Sequence, residues 1–388
     1  MKKEFNLKVL LILSLGHLVV DIYQGALPAT LPFIKDKLGL SYALTGLILM
    51  AANVASSVLQ PVFGYFSDRK VMTALLPMGL LAAGVGYSLI MLPAHFALVL
   101  FLVVISGLGV ASYHPEGYKT AHFFTGRRSA TGMSFFSVGG NLGFSLGPIL
   151  ALAIIEYLGF SSLPLIVVPA ILCTAIILAY RRTIALPVVS HSEAMKKSRR
   201  QTSAASYVAL GMVIFIVMMR SWTQIGLMTY IPFYYINFLK GSPLFAGKLV
   251  FVFLVCGAAG TLIGAPLADR WGHRSFVRVS MLLSTLTLPA FFLPAVQNSI
   301  LLFFVLGVQG MFLISTFSVT IVIAQKLLPH KLGIASGLLV GFAIGTGGIG
   351  VTLLGVVADH FGVPAALHSI MIIPLLGFMM SLFLRYEE

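Results

Sequence analysis

The sequence predicts an all-α polytopic membrane protein with 12 transmembrane helices in two six-helix bundles. Three observations carry that expectation. Apolar residues make up 59% and charged residues 9% of the 388, with a mean hydropathy of +1.01; a soluble domain is about 25% charged. The apolar runs are continuous and about 20 residues long, enough to cross a bilayer core as helix, not short and alternating as in a barrel. Landmarks in the first half of the chain also recur in the second. The composition excludes a soluble enzyme, a disordered chain and a nucleic-acid-binding domain, each of which needs more polar surface.

Taken in order, the apolar runs give spans at 7–33, 41–66, 71–92, 95–121, 129–157, 161–181, 206–238, 243–267, 275–296, 298–325, 332–357 and 362–385. The first is too long, and lacks the small-residue cleavage site, for a secretory signal, so it is expected to be a retained helix. Most connections are short. The exception runs from Arg181 to Ala205 and carries Arg181, Arg182, Lys196, Lys197, Arg199 and Arg200 with Pro187 and several serines, the composition of a solvated linker. The expected organisation is therefore an N-terminal six-helix bundle over 1–182, a cytoplasmic linker over 183–205 and a C-terminal six-helix bundle over 206–388.

Charge placement gives the orientation. With both termini inside, most of the 25 Lys and Arg fall on the inner side, and Lys35, Lys37, Lys240 and Lys248 on the outer. This positive-inside bias explains the net charge of +14 without an acidic partner. Cys173 and Cys256 sit far apart inside apolar runs and read as buried residues.

The loop after span two reads Gly64-Tyr65-Phe66-Ser67-Asp68-Arg69-Lys70, and the loop after span eight contains Gly264, Asp269, Arg270, Gly272 and Arg274. The two lie half a chain apart. Ala130-Thr131-Gly132 and Ala335-Ser336-Gly337, opening spans five and eleven, match in the same way. Such a repeat fits a two-bundle transporter. Two copies at this spacing weigh against the alternative, ordinary stop-transfer loops.

Ionisable groups inside spans are costly and normally face a cavity or partner. Span one holds His17 and Asp21, four apart on one face; span four holds His114, Glu116 and Lys119; span seven holds Arg220. Burial favours the neutral form of a carboxylate, so Asp21 and Glu116 are the main proton-coupling candidates, with His114 and His17 as possible relays. The alternative for Glu116 is a static ion pair with Lys119. Arg220 and Lys119 are candidate grips for an anionic substrate, or else neutralise buried carboxylates. Gln24, Tyr113, Trp222 and Asn141 complete the substrate-contact candidates.

The paired loops resemble the signature loop of the major facilitator superfamily, across the whole chain. The resemblance implies that Gly64, Asp68, Arg69, Gly264, Asp269, Arg270 and Arg274 act in conformational switching. It also implies that the first loop pairs with the start of span eleven and the second with that of span five, and that spans one and four line a cavity. Gly143, Gly147 and Pro148 resemble the core of an antiporter motif, with the trailing glycine pair replaced by Ala151 and Leu152. The run Tyr113-His114-Pro115-Glu116, then Gly139-Gly140-Asn141 and Gly147-Pro148, with Leu59-Gln60-Pro61 and Gly16-His17 before it, resembles the fosmidomycin-resistance branch. That branch consists of bacterial inner-membrane exporters.

The expected function is proton-coupled efflux of a small drug or organic anion such as a phosphonate, by alternating access; uptake by symport is the alternative. No P-loop, zinc-protease or serine-hydrolase motif is present, so no enzyme activity is expected. No cofactor or metal is expected either, the proton gradient being the energy source. The expected partners are the lipid bilayer and a small-molecule substrate, with no nucleic acid and a monomeric working unit.

Overall fold

The computed structural model describes residues 5–40, 42–69, 72–185, 204–235, 239, 243–297, 300–343 and 345–386. Most of the linker, 186–203, and Lys70 lie outside the described residues.

Helix occupies all 12 expected spans. We name them α1 (Leu7–Leu38), α2 (Tyr42–Asn53, continuing through Gln60–Arg69), α3 (Leu75–Leu89), α4 (Phe96–Phe124), α5 (Ser129–Leu158) and α6 (Phe160–Val167, then Val168–Ala179). The second half gives α7 (Ala204–Phe233), α8 (Pro243–Trp271), α9 (His273–Thr287), α10 (Leu301–Leu327), α11 (Leu332–Ser336, continuing to Gly347–Phe361) and α12 (Val363–Ile370, then Ile372–Phe383). Eleven meet the length and hydropathy of a membrane span; α3, at 15 residues, is apolar but shorter. Among the described residues no sheet forms, and one isolated antiparallel bridge pairs Phe5 with Thr125.

The internal repeat reaches into the turns. Gly159 joins α5 to α6 at φ 83°, ψ 160°, and Gly362 joins α11 to α12 at φ 84°, ψ 162°. Only glycine adopts that region without strain, so the same tight reversal is built twice.

Two segments wind more widely than an α-helix. Val54–Val58 in α2 and Gly337–Ala343 in α11 are π-helical, a rare geometry that is frequent at functional sites.

The chain divides into two compact units, Met1–Gln201 with Pro329–Phe342, and Thr202–Leu328 with Ala343–Glu388. The start of α11 packs with the first unit, because small residues let backbones meet there. A Cβ on Gly64 would lie 2.3 Å from the Gly333 carbonyl oxygen, and one on Gly337 would lie 2.7 Å from that of Gln60.

Within the first unit α1 packs along α5 through a glycine ladder. Cβ atoms on Gly139, Gly143 and Gly147 would stand 2.2, 2.0 and 2.3 Å from the carbonyl oxygens of Ser14, Leu18 and Ile22. Contacts that close are how membrane helices gain packing without a hydrophobic drive. The second unit is built on a buried apolar core that includes Leu227, Phe253, Phe291, Leu313 and Leu367. Cys173 is buried, Cys256 half-buried, and both are free thiols.

Candidate functional site

In the first unit, α1 and α4 bring three ionisable side chains into one buried cluster. Asp21 Oδ1 lies 2.9 Å from His114 Nε2 and Oδ2 lies 3.3 Å from His17 Nε2. The three are 8%, 3% and 3% exposed respectively. Helical spacing puts His17 directly below Asp21 on α1. The glycine ladder makes room: a Cβ on Gly140 would fall 2.4 Å from His17 Nε2 and 2.6 Å from Asp21 Oδ2.

Each imidazole is held from behind. His17 Nδ1 donates to the Phe136 carbonyl at 2.9 Å, and its ring stacks on Phe136 with centroids 4.4 Å apart. The Gln60 amide donates to the Ser56 carbonyl at 2.7 Å and to His114 Nδ1 at 3.2 Å. His114 Nδ1 is therefore an acceptor, and its Nε2–H donates to Asp21.

The three donor atoms lie within 4.8 Å of one another, a spacing that could hold a metal ion. In the hydrogen-bonded arrangement above, His114 Nε2 faces Asp21 as a donor, whereas a bound ion would take that nitrogen's lone pair.

Glu116 and Lys119, one turn apart on α4, form a second buried group. Lys119 Nζ lies 3.6 Å from Glu116 Oε2, and Ser67 of α2 donates to the same oxygen. Lys119 also donates to Ser67 Oγ at 3.0 Å, and Thr120 donates to Glu116 Oε1 at 3.4 Å. This is the ion-pair arrangement that the sequence offered as the alternative to proton coupling for Glu116.

The first loop closes on α11. Asp68 accepts the amide N–H of Gly333 at 2.8 Å and of Ile334 at 2.9 Å. These are orphan donors of a helix N-terminus, which Lys331, at the cap position, does not cap with its side chain. Arg69 stacks its guanidinium 4.1 Å from the Tyr65 ring.

The second loop makes contacts of its own within the second unit. Asp269 Oδ1 lies 3.2 Å from His273 Nε2, and Lys326 Nζ lies 3.1 Å from His273 Nδ1. Gly264 fits against the Phe276 ring and Ser315. Arg270 is exposed, while half-buried Arg274 shares an open pocket with Arg278 and Arg385.

The remaining candidates scatter. Tyr113 is fully buried, and its hydroxyl donates to the Leu13 carbonyl at 2.9 Å, so that group is committed to packing α4 on α1. Gln24 reaches Ser56 Oγ at 3.5 Å and lines a small cavity with Asn53, Tyr87 and Ser106. Asn141 is half-buried, and Pro148 lies within α5. In the second unit Arg220 is buried with its guanidinium 4.8 Å from the Phe317 ring, and Trp222 Nε1 donates to Thr346 at 3.3 Å.

Gln60 and Gly140 belong to the cluster but were not singled out as site residues. Their signal was weak. Gln60 is neutral, so it raises no flag as a buried charge, and Gly140 contributes by what it lacks.

Comparison with known proteins accords with this architecture. The Major Facilitator Superfamily profile matches residues 13–247 and 210–388. An uncharacterized MFS-type transporter of Bacillus subtilis (strain 168), YfnC, is 34% identical over 95% of this chain and 91% of its own. The fosmidomycin resistance protein of Escherichia coli (strain K12) is 31% identical over 99% of this chain and 94% of its own. Among solved structures, FucP in the outward conformation superposes with a TM-score of 0.74 at 16% identity, covering 98% of this chain and 99% of that one. The proton:xylose symporter XylE gives 0.74 at 14%, covering 97% and 95%. These two likenesses concern the fold. With 12 helices in a repeated design, signature loops at both positions and relatives matched nearly end to end, the chain belongs to the Major Facilitator Superfamily.

Proposed function

We propose that this protein is a proton-coupled secondary transporter of the bacterial inner membrane that exports a small organic anion by alternating access. The observation that carries the reading is the His17–Asp21–His114 cluster. A carboxylate held between two imidazoles in a membrane bundle is a site that can take and release a proton. Asp21 is the coupling carboxylate; Glu116, paired with Lys119 and Ser67, holds α4 to α2. Export is supported by the similarity to a fosmidomycin resistance protein, and Arg220 is the candidate grip for a phosphonate or carboxylate. The chain works as a monomer without a cofactor, both termini facing the cytoplasm. Uptake by symport is a second reading, favoured by the fold shared with a fucose:proton and a proton:xylose symporter.

The test is proton movement in proteoliposomes carrying a pH dye inside, challenged with fosmidomycin, a lipophilic cation and a sugar phosphate. A substrate-triggered pH change that Asp21→Asn abolishes supports the reading, and its sign separates antiport from symport. Labelled-substrate transport with no pH change overturns it.

A further inference from the structure

We propose that Gln60 is a positioning residue for the coupling proton: by holding His114 as a neutral Nε2–H donor, it confines the labile proton to the contact between His17 Nε2 and Asp21 Oδ2. The proposal rests on the proton-coupled reading above and deepens it.

The argument starts from groups that can only accept. The Ser56 carbonyl, 2.7 Å from the Gln60 amide nitrogen, fixes that atom as nitrogen, because an amide oxygen there would face another oxygen. The price of this orientation is a buried Gln60 Oε1 with no hydrogen-bond partner among the described residues. The second amide hydrogen points at His114 Nδ1, 3.2 Å away. A neutral imidazole has one donor and one acceptor nitrogen, so His114 donates through Nε2 to Asp21 Oδ1 at 2.9 Å. On the other side the Phe136 carbonyl, 2.9 Å from His17 Nδ1, makes that nitrogen the donor.

One contact is then undetermined. His17 Nε2 and Asp21 Oδ2 face each other at 3.3 Å. With a proton between them they attract; without it a lone pair meets a carboxylate oxygen. The cluster therefore has two states that differ by one proton at one place. Of the titratable groups on neighbouring helices, Tyr113 and Tyr118 of α4 stand beside the cluster, their ring centroids 6.5 and 5.5 Å from that of His17; Glu116 and Lys119 of α4 lie further along that helix, with Asp68 of α2 beyond them. The faces of α2 and α5 against the cluster present Gln60 and Gly140, which do not titrate. Glu116 and Lys119 are paired with each other, and the Tyr113 hydroxyl is taken by the Leu13 carbonyl.

Gln60 also touches the π-helical segment of α11. A Cβ on Gly341 would lie 2.5 Å from Gln60 Cβ and 3.1 Å from its Cδ. That segment packs in the first unit, and its chain passes into the second at Ala343. Gln60 thus lies between His114 and that segment.

The test is nitrogen NMR of the full chain labelled with 15N-histidine in lipid nanodiscs, titrated with pH and assigned with His17→Gln and His114→Gln. Wild type is expected to keep His114 as the Nε2–H tautomer while a single proton step appears at His17 and Asp21. Gln60→Leu is expected to free His114 Nδ1 and add a second proton step. Gln60→Glu, keeping the side-chain length, is expected to move the His114 proton to Nδ1; it and Gly341→Ala serve if Gln60→Leu does not fold. His114 protonated on Nδ1 in wild type, or histidine signals unchanged in folded Gln60→Leu, would overturn the proposal. So would stoichiometric binding of Co2+ that His114→Gln removes, since a metal needs both Nε2 lone pairs. The expected tautomers without proton movement in proteoliposomes would overturn the transport reading alone.

Discussion

Asp68, at the end of α2, accepts the amide of Ile334 in the first turn of α11 at 2.9 Å. The two residues are far apart in sequence, and the cap that α11 lacks locally is supplied by another helix. A carboxylate at a helix N-terminus is favoured by both the orphan amides and the helix dipole. Asp68→Asn keeps one acceptor and loses the charge. It is expected to cost about 1 kcal/mol, read as a lower thermal midpoint in detergent, and to slow transport. Asp68→Glu, whose longer side chain misplaces both oxygens, is expected to do no better. An unchanged midpoint in both variants would mean the cap contributes nothing.

Asp21→Asn removes the group that binds the proton but keeps its shape. Substrate accumulation driven by a proton gradient is expected to be abolished, while exchange of labelled for unlabelled substrate across the membrane continues. His114→Gln preserves a donor toward Asp21 and is expected to retain part of the driven transport; His17→Gln removes the proton's second partner and is expected to lose it. Equal loss of exchange and driven transport in Asp21→Asn would assign Asp21 to substrate binding instead.

The fold was legible because bilayer thickness sets a length scale that apolar runs report directly, and because two loops recur half a chain apart. The turns at Gly159 and Gly362 extend that repeat and could have been found by the same comparison. The π-helical turns could not, since Gly337 and Gly341 pack against Gln60 through contacts distant in sequence. The site was half legible. Asp21, His17 and His114 stood out as ionisable groups in apolar surroundings. The hydroxyl of Tyr113, a substrate-contact candidate by sequence, donates to the Leu13 carbonyl, a partner 100 residues away that the sequence does not announce. Neutral Gln60 carries no desolvation signal, though it fixes the tautomer of His114.

Two glycines of α5 separate packing from chemistry. A Cβ on Gly143 would meet backbone, the Leu18 carbonyl oxygen at 2.0 Å, while one on Gly140 would meet side-chain tips, His17 Nε2 at 2.4 Å and Asp21 Oδ2 at 2.6 Å. Gly143→Ala must therefore push α1 from α5 and is expected to cost about 1–3 kcal/mol. Gly140→Ala can be absorbed by turning the two side chains. It is expected to leave the thermal midpoint nearly unchanged and to abolish proton-driven transport. Thermal unfolding and proteoliposome assays on the two variants check the contrast, and equal effects on both readouts would remove it.

Glu116 and Lys119 provide the complementary case, charges whose removal should be felt in stability first. Glu116 is fully buried and Lys119 5% exposed, with Nζ 3.6 Å from Oε2. Removing one partner of a buried pair strands the other's charge, at a cost of about 3–5 kcal/mol. Glu116→Gln leaves the lysine charge without its counterion, and Lys119→Met leaves the carboxylate with only the Ser67 and Thr120 hydroxyls. Each single variant is expected to lower the thermal midpoint markedly. The double variant, with no net charge to desolvate, is expected to be more stable than either, so the cycle should be strongly non-additive. If Glu116 instead carried the coupling proton, Glu116→Gln would resemble its protonated state, fold normally and lose driven transport alone. A normal midpoint with lost coupling would move the proton site from α1 to α4.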